Sequence, residues 1–111
     1  MPWLRQSNTN QASTSSYATL LRAKTTSFPK ITLTITNSHG TNAIKYKVLV
    51  SNTDQPGSSD WAEEKAEATL AAGAADRYAL SGSFQWVDVQ IVDNSAGNHG
   101  TGNAFLNAVG L

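Results

Sequence analysis

Ser83-Phe-Gln-Trp-Val-Asp-Val-Gln-Ile-Val-Asp93 is the stretch that decides the fold. Val87, Val89 and Ile91 fall on one side of an extended chain, Asp88 and Gln90 on the other, and Phe84 and Trp86 add aromatic bulk. This is the period-two pattern of a half-buried strand. We read it as the central strand, with Asp88 and Gln90 as surface or interface residues. Its apolar face needs a cover, and no long helical pattern elsewhere offers one, so the cover must be other strands.

Working outward, Ile31, Leu33 and Ile35 alternate with Thr32, Thr34 and Thr36 behind Pro29, which suits a strand start. The turn-rich run Asn37-Ser-His-Gly-Thr-Asn42 then predicts a hairpin into a second alternating strand, with Ile44, Tyr46, Val48 and Val50 inward and Lys45 and Lys47 solvated. Asn52 to Asp60 is an exposed loop centred on Pro56-Gly57, closed by Trp61. Ala62 to Ala72 has the composition of a helix, but a helical face there would offer only Leu70 as a large apolar anchor. As a strand it places Glu64, Ala66, Ala68 and Leu70 on one side, and we assign it as a strand. Tyr78 and Leu80 belong to a short strand, Asn94 to Gly102 to a polar loop, and Asn103 to Val109 to a last strand with Phe105 as its core residue. Tyr17 to Lys24 is a further strand whose alternation is blurred by Leu20-Leu21. Six or seven short strands with regular turn signals predict an all-β, antiparallel β-sandwich, Ig-like or jelly-roll-like.

Arg5 to Ser16 is polar apart from one alanine and cannot bury enough apolar area to offset the entropy of ordering. Residues 1–16 are therefore expected to form an extended N-terminal arm, and 17–111 a single sandwich domain. Trp3, Leu4 and Arg5 at the arm's tip are candidate partner-binding residues, because a Trp-Leu pair suits a hot spot on a partner surface. Docking of that tip on its own domain is the alternative.

Cysteine is absent, which excludes a disulfide framework, a thiolate nucleophile and a Cys-type metal site. Residues 1–8 lack the apolar run of a secretory signal, so synthesis in a cytoplasm is expected. Eight basic and eight acidic residues cancel, but residues 1–53 carry six bases and no acid, while residues 54–111 carry eight acids and two bases. Either the charges mix on the folded surface or the basic part of one copy meets the acidic part of another.

Little in the chain points to chemistry. His39 and His99 sit singly in Gly-flanked loops without the spacing of a zinc site. The Asp93–Asn98 run resembles the start of a calcium loop but lacks the later bidentate glutamate, so no metal or other cofactor is expected. Glu63 and Glu64 point to opposite sides of a strand and cannot share a substrate, and no Gly-x-Ser-x-Gly elbow is present. We expect no catalytic residues. Zero net charge also argues against nucleic acid, and no run is long enough to span a membrane.

The runs Ile44–Asn52, Ala66–Ala74 and Phe84–Asp93, with the loop to Trp61, resemble small β-sandwich accessory proteins of tailed-phage virions, including head decoration (cement) proteins. The resemblance spans about residues 31–108 and lies in strand-and-loop rhythm. It implies a non-enzymatic virion protein that binds the major capsid protein or other virion subunits in many copies. Such proteins often associate as homo-oligomers, in threes. A second reading is a carbohydrate- or receptor-binding sandwich module of a phage tail, using Trp61, Asp54, Asn98 and His99 in the two polar loops.

Overall fold

The computed structural model describes residues 3–26 and 28–110. Eight strands run β1 (Trp3–Ala12), β2 (Ala18–Lys24), β3 (Lys30–Asn37), β4 (Ile44–Ser51), β5 (Ala62–Leu70), β6 (Ala75–Ala79), β7 (Trp86–Asp93) and β8 (Thr101–Val109). They form two four-stranded sheets, β1-β8-β3-β6 and β2-β7-β4-β5, with every neighbouring pair antiparallel. This is the strand order of a jelly roll, in which the chain passes from sheet to sheet at every connection except β4 to β5.

The core lies between the sheets and is built by alternation. Val87, Val89 and Ile91 of β7 pack with Ile44, Tyr46, Val48 and Val50 of β4 against Ile31, Leu33 and Ile35 of β3 and Ala104, Leu106 and Ala108 of β8. The stretch around Val89 is thus an interior strand, as its pattern requires. Phe105 is not in the core: it points outward and is 41% exposed. The phase Gly102-Ala104-Leu106-Ala108 is the inward one because it carries no polar side chain, whereas Phe105 shares its phase with Asn103 and Asn107.

Local departures from alternation have physical causes. A register shift between Thr19 and Leu21 turns both Leu20 and Leu21 into the core. In β5, a strand as expected, Ala68 and Leu70 face the core, but shifts opposite Val48 leave Ala66 exposed. Those shifts bring Lys65 within 5.7 Å of the Tyr46 ring and 5.6 Å of the Tyr78 ring, a cation over two aromatic faces.

Residues 3–12, expected within an arm, are extended but run as β1 against β8 of their own sheet, which brings the strand number to eight. Apart from Leu4, which packs on the core, apolar burial contributes little to holding this segment; the β-ladder and amide side chains do the rest. Asn8 Nδ2 donates to the Leu20 carbonyl at 2.7 Å and Gln11 Nε2 to the Thr19 carbonyl at 2.9 Å, tying β1 to the opposite sheet. Asn10 takes a left-handed conformation (φ 60°) in a bulge, and its N–H donates to Asn103 Oδ1.

The run 37–42, expected to turn a hairpin, instead carries the chain across the sandwich, since β3 and β4 lie in different sheets. Its organiser is the buried Asn37 side chain. Nδ2 donates to the carbonyls of Asn42 (2.8 Å) and Leu70 (3.1 Å), and Oδ1 accepts from the N–H groups of His39 (3.1 Å) and Thr101 (3.3 Å). Asn37→Ala strips partners from four backbone groups and should destabilise the fold by about 2–4 kcal/mol, given a cost of about 1–3 kcal/mol for an unsatisfied buried group. Urea unfolding checks this: the midpoint should fall with an unchanged slope.

Candidate functional site

Three places bring polar or aromatic side chains together. The first is at the end of the sandwich where Asp93 closes β7. Its carboxylate, almost wholly buried, accepts from Ser13 Oγ at 2.5 Å on Oδ1 and lies 3.0 Å from His99 Nδ1 on Oδ2, while the Gly97 N–H reaches Oδ2 at 3.3 Å. Ser13 Oγ in turn accepts from the Gly100 N–H at 2.8 Å. A serine, a histidine and an aspartate are thus assembled, but in the wrong order for nucleophilic catalysis. A triad needs the histidine between serine and aspartate to take the hydroxyl proton, and here the aspartate is in the middle. The cluster ties the β1–β2 turn to the β7–β8 loop, together with Asp93 N–H to Thr14 carbonyl and Ser13 N–H to Gly100 carbonyl bonds.

Burial alone would raise the Asp93 carboxyl above its ordinary value. Hydrogen bonds from Ser13 and His99, the His99 charge and the Gly97 N–H outweigh it, and the carboxyl titrates below that value. A depressed folded pKa means stability that is present above the unfolded carboxyl pKa of about 3.9 and lost as pH falls through the folded value. The stability advantage of the native chain over Asp93→Asn, measured by urea unfolding, should therefore shrink as pH drops from 5 to 2.

The second place is the outer face of sheet β1-β8-β3-β6. Trp3 (59% exposed), Phe105 and Val109 (40%) are the most exposed large apolar residues described, and Trp3 sits directly opposite Val109 in the β1–β8 ladder. Arg5 lies with its guanidinium 4.0 Å from the centre of the Trp3 ring. Arg5, Ser7, Phe105 and Asn107 border a shallow depression of about 360 Å³. Lys30 and Arg77 share this face, whose outward positions on the four strands carry no acid. No ion pair among the described residues involves Arg5, Lys30 or Arg77. Trp3 and Arg5 thus stand side by side on the surface, while Leu4 faces the other way and packs on the core. Phe105 is the member of this patch that sequence reasoning missed. The signal was there in its phase, shared with two asparagines.

The third place is on the opposite sheet, at the other end of the molecule from Asp93. The 52–61 loop folds over the start of β7, where Trp86 Nε1 donates to the Asp54 carbonyl at 2.8 Å and Lys24 pairs with the Asp54 carboxylate at 3.0 Å. Arg22 lies 4.9 Å from the centre of the Trp61 ring. Arg22, Gln55, Pro56, Gly57 and Trp86 line an open cleft of about 430 Å³. The two polar loops do not converge: Ser51 pairs with Trp86 and Ile44 with Asp93, so the loops sit at opposite ends of β7. An eight-residue strand separates them by roughly 25 Å. Trp61 and Asp54 lie at one end, Asn98 and His99 at the other. His39 is a turn residue, its Nδ1 accepting from the N–H groups of Thr41 and Asn42. Among the described residues no group of three or more His, Asp or Glu side chains could hold a metal ion.

No family model matches the chain, and no curated protein does. Solved structures do match in fold. A structure of Bacillus endospore appendages, described as disulfide-linked pili, superposes with a TM-score of 0.58 at 8% identity over 98% of this chain and 89% of that one. The SPBc2 prophage-derived protein YomS gives 0.51 at 14% identity over 96% of both chains. The K3 adhesin domain of Lys-gingipain from Porphyromonas gingivalis W83 gives 0.58 at 12% identity over 84% of this chain and 63% of that one. At such identities the likeness is one of fold.

Proposed function

We propose that this protein is a non-enzymatic structural component of a virion, a capsid decoration protein that binds neighbouring subunits in many copies through the outer face of sheet β1-β8-β3-β6. The observation that carries the reading is the patch itself. Large apolar side chains standing in water on a sheet face, rimmed by polar residues, are the mark of an interaction surface. Trp and Arg are the residue types that concentrate binding energy at such surfaces. Arg5, Lys30 and Arg77 without an acid on the same face call for an acidic rim on the partner.

A structural role also agrees with the sandwich likeness to a prophage-derived protein and to a pilus component. In a symmetric shell each copy meets the same partner surface, so a weak contact per copy is multiplied across the particle. Arg5→Glu and Phe105→Ser change only outward side chains and should leave the thermal midpoint within a few degrees of native. Combined, they should lower retention on the native particle in co-sedimentation by at least about tenfold, the loss expected of a hot-spot pair. Binding at native strength by that double variant overturns the proposal.

A further inference from the structure

We propose that the cleft beneath the 52–61 loop, on the sheet opposite the Trp3 patch, binds a neutral saccharide. Asp88 lies on the outward side of β7 and yet is completely buried. Its Oδ2 accepts from Gln90 Nε2 (3.0 Å), Arg22 Nη2 (3.1 Å) and Thr19 Oγ1 (3.3 Å), while Oδ1 has no partner among the described residues. A buried carboxylate oxygen left unpaired is costly and calls for a compensating end.

Here that end is the placement of Arg22. Asp88 holds the guanidinium by one nitrogen, leaving its other N–H groups for the cleft, where the side chain is 47% exposed. Trp86, one pleat along the same face, is fixed by its indole bond to the Asp54 carbonyl, so its ring is a rigid wall. Gln55 adds an amide from the loop.

The charges select the ligand. Arg22 and Lys24 are each paired with a carboxylate, Asp88 and Asp54, and Asp60, accepting from the Gly57 N–H at 2.7 Å, adds a third at the rim, so the site holds no unpaired cation to attract a phosphate group. What it offers is an aromatic wall beside forked donors and an amide. A pyranose ring matches this, with C–H groups to lay on the indole and hydroxyls to accept from Arg22 and exchange hydrogen bonds with Gln55. Asp88 acts as a positioning residue. The site lies on the other sheet from Trp3 and Phe105, so this inference and the capsid reading can fail separately.

The test uses the full chain on an array of neutral and charged glycans, followed by titration of the best free neutral glycan against tryptophan fluorescence. Saturable binding is expected, weakened roughly tenfold by Gln55→Ala, which alters only an exposed loop, and by Arg22→Lys, which keeps the charge but loses the fork. Asp88→Asn should weaken binding as well. A purely structural Asp88 would shift the thermal midpoint without moving the affinity, and that result overturns the proposal, since the site rests on Arg22 being placed by Asp88. A blank array, hits confined to charged glycans, or native affinity in both Gln55→Ala and Arg22→Lys overturns the proposal.

Discussion

The structure depends on how its chain crosses between sheets. Six of the seven connections leave one layer for the other, and each must bring backbone polar groups over the end of an apolar core. Asn37 solves this at the most crowded point. One amide side chain satisfies carbonyls at the ends of the 37–42 turn and of β5, and N–H groups at the turn and the start of β8. The Ser13–Asp93 pair does the same for the β1–β2 and β7–β8 crossings nearby. Between them these two polar centres hold one end of the sandwich shut, and the packing beneath them is tight. A Cβ at Gly100 would stand 2.4 Å from Ile44 Cγ2, and one at Gly102 2.8 Å from Ile91 Cδ1, so only glycine lets the start of β8 pass this close to the other sheet.

The polarity of the molecule follows from this division. One end is closed by carboxylate, amide and hydroxyl groups bonded to backbone; the other gathers Trp61, Trp86 and the open 52–61 loop. One outer face pairs most of its charges, through Arg22–Asp88, Lys24–Asp54 and Lys45–Glu67, with Lys47 over the Tyr17 ring and Tyr17 bonded to Glu67. The other face leaves its cations without acids and its aromatics in water. The excess of bases in the first half of the sequence thus survives folding in part: Arg5 and Lys30 stay on the acid-free face, while Arg22, Lys24 and Lys45 find acids from the second half.

What could be read from sequence was whatever depends on near neighbours. Alternation in Ile31–Ile35, Ile44–Val50 and Val87–Ile91 identified core strands, because inward and outward residues are set within the strand itself. The lone large anchor Leu70 correctly argued for a strand over 62–70 against a helix-forming composition. What depends on distant segments was hidden. Nothing in Arg5–Ser16 shows that β8 will pair with it, and nothing in Val87-Asp88-Val89 shows that an outward carboxylate will be buried. Turn chemistry in 37–42 is the same for a hairpin and for a crossing, so the choice of sheet was not local information. For the two proposed surfaces, Trp3, Arg5 and Trp61 were visible as residue types, but their neighbours Phe105, Arg22 and Trp86 are brought to them only by strand pairing.

The pattern of register shifts bears on how copies of this protein can associate. The two interior ladders, β3–β8 and β4–β7, run without interruption, whereas β1, β2 and β5 at the sheet margins each carry a shift and β6 is only five residues long. The straight rows of free N–H and C=O groups at the β1 and β6 margins are kept short, six residues in Trp3–Asn8 of β1 and five in β6. Short rows are poor templates for a further strand, so continuous strand-by-strand growth is disfavoured by the backbone itself. A contact made through side chains on the faces, by contrast, has its specificity set residue by residue and stops growing when the matching surfaces are filled.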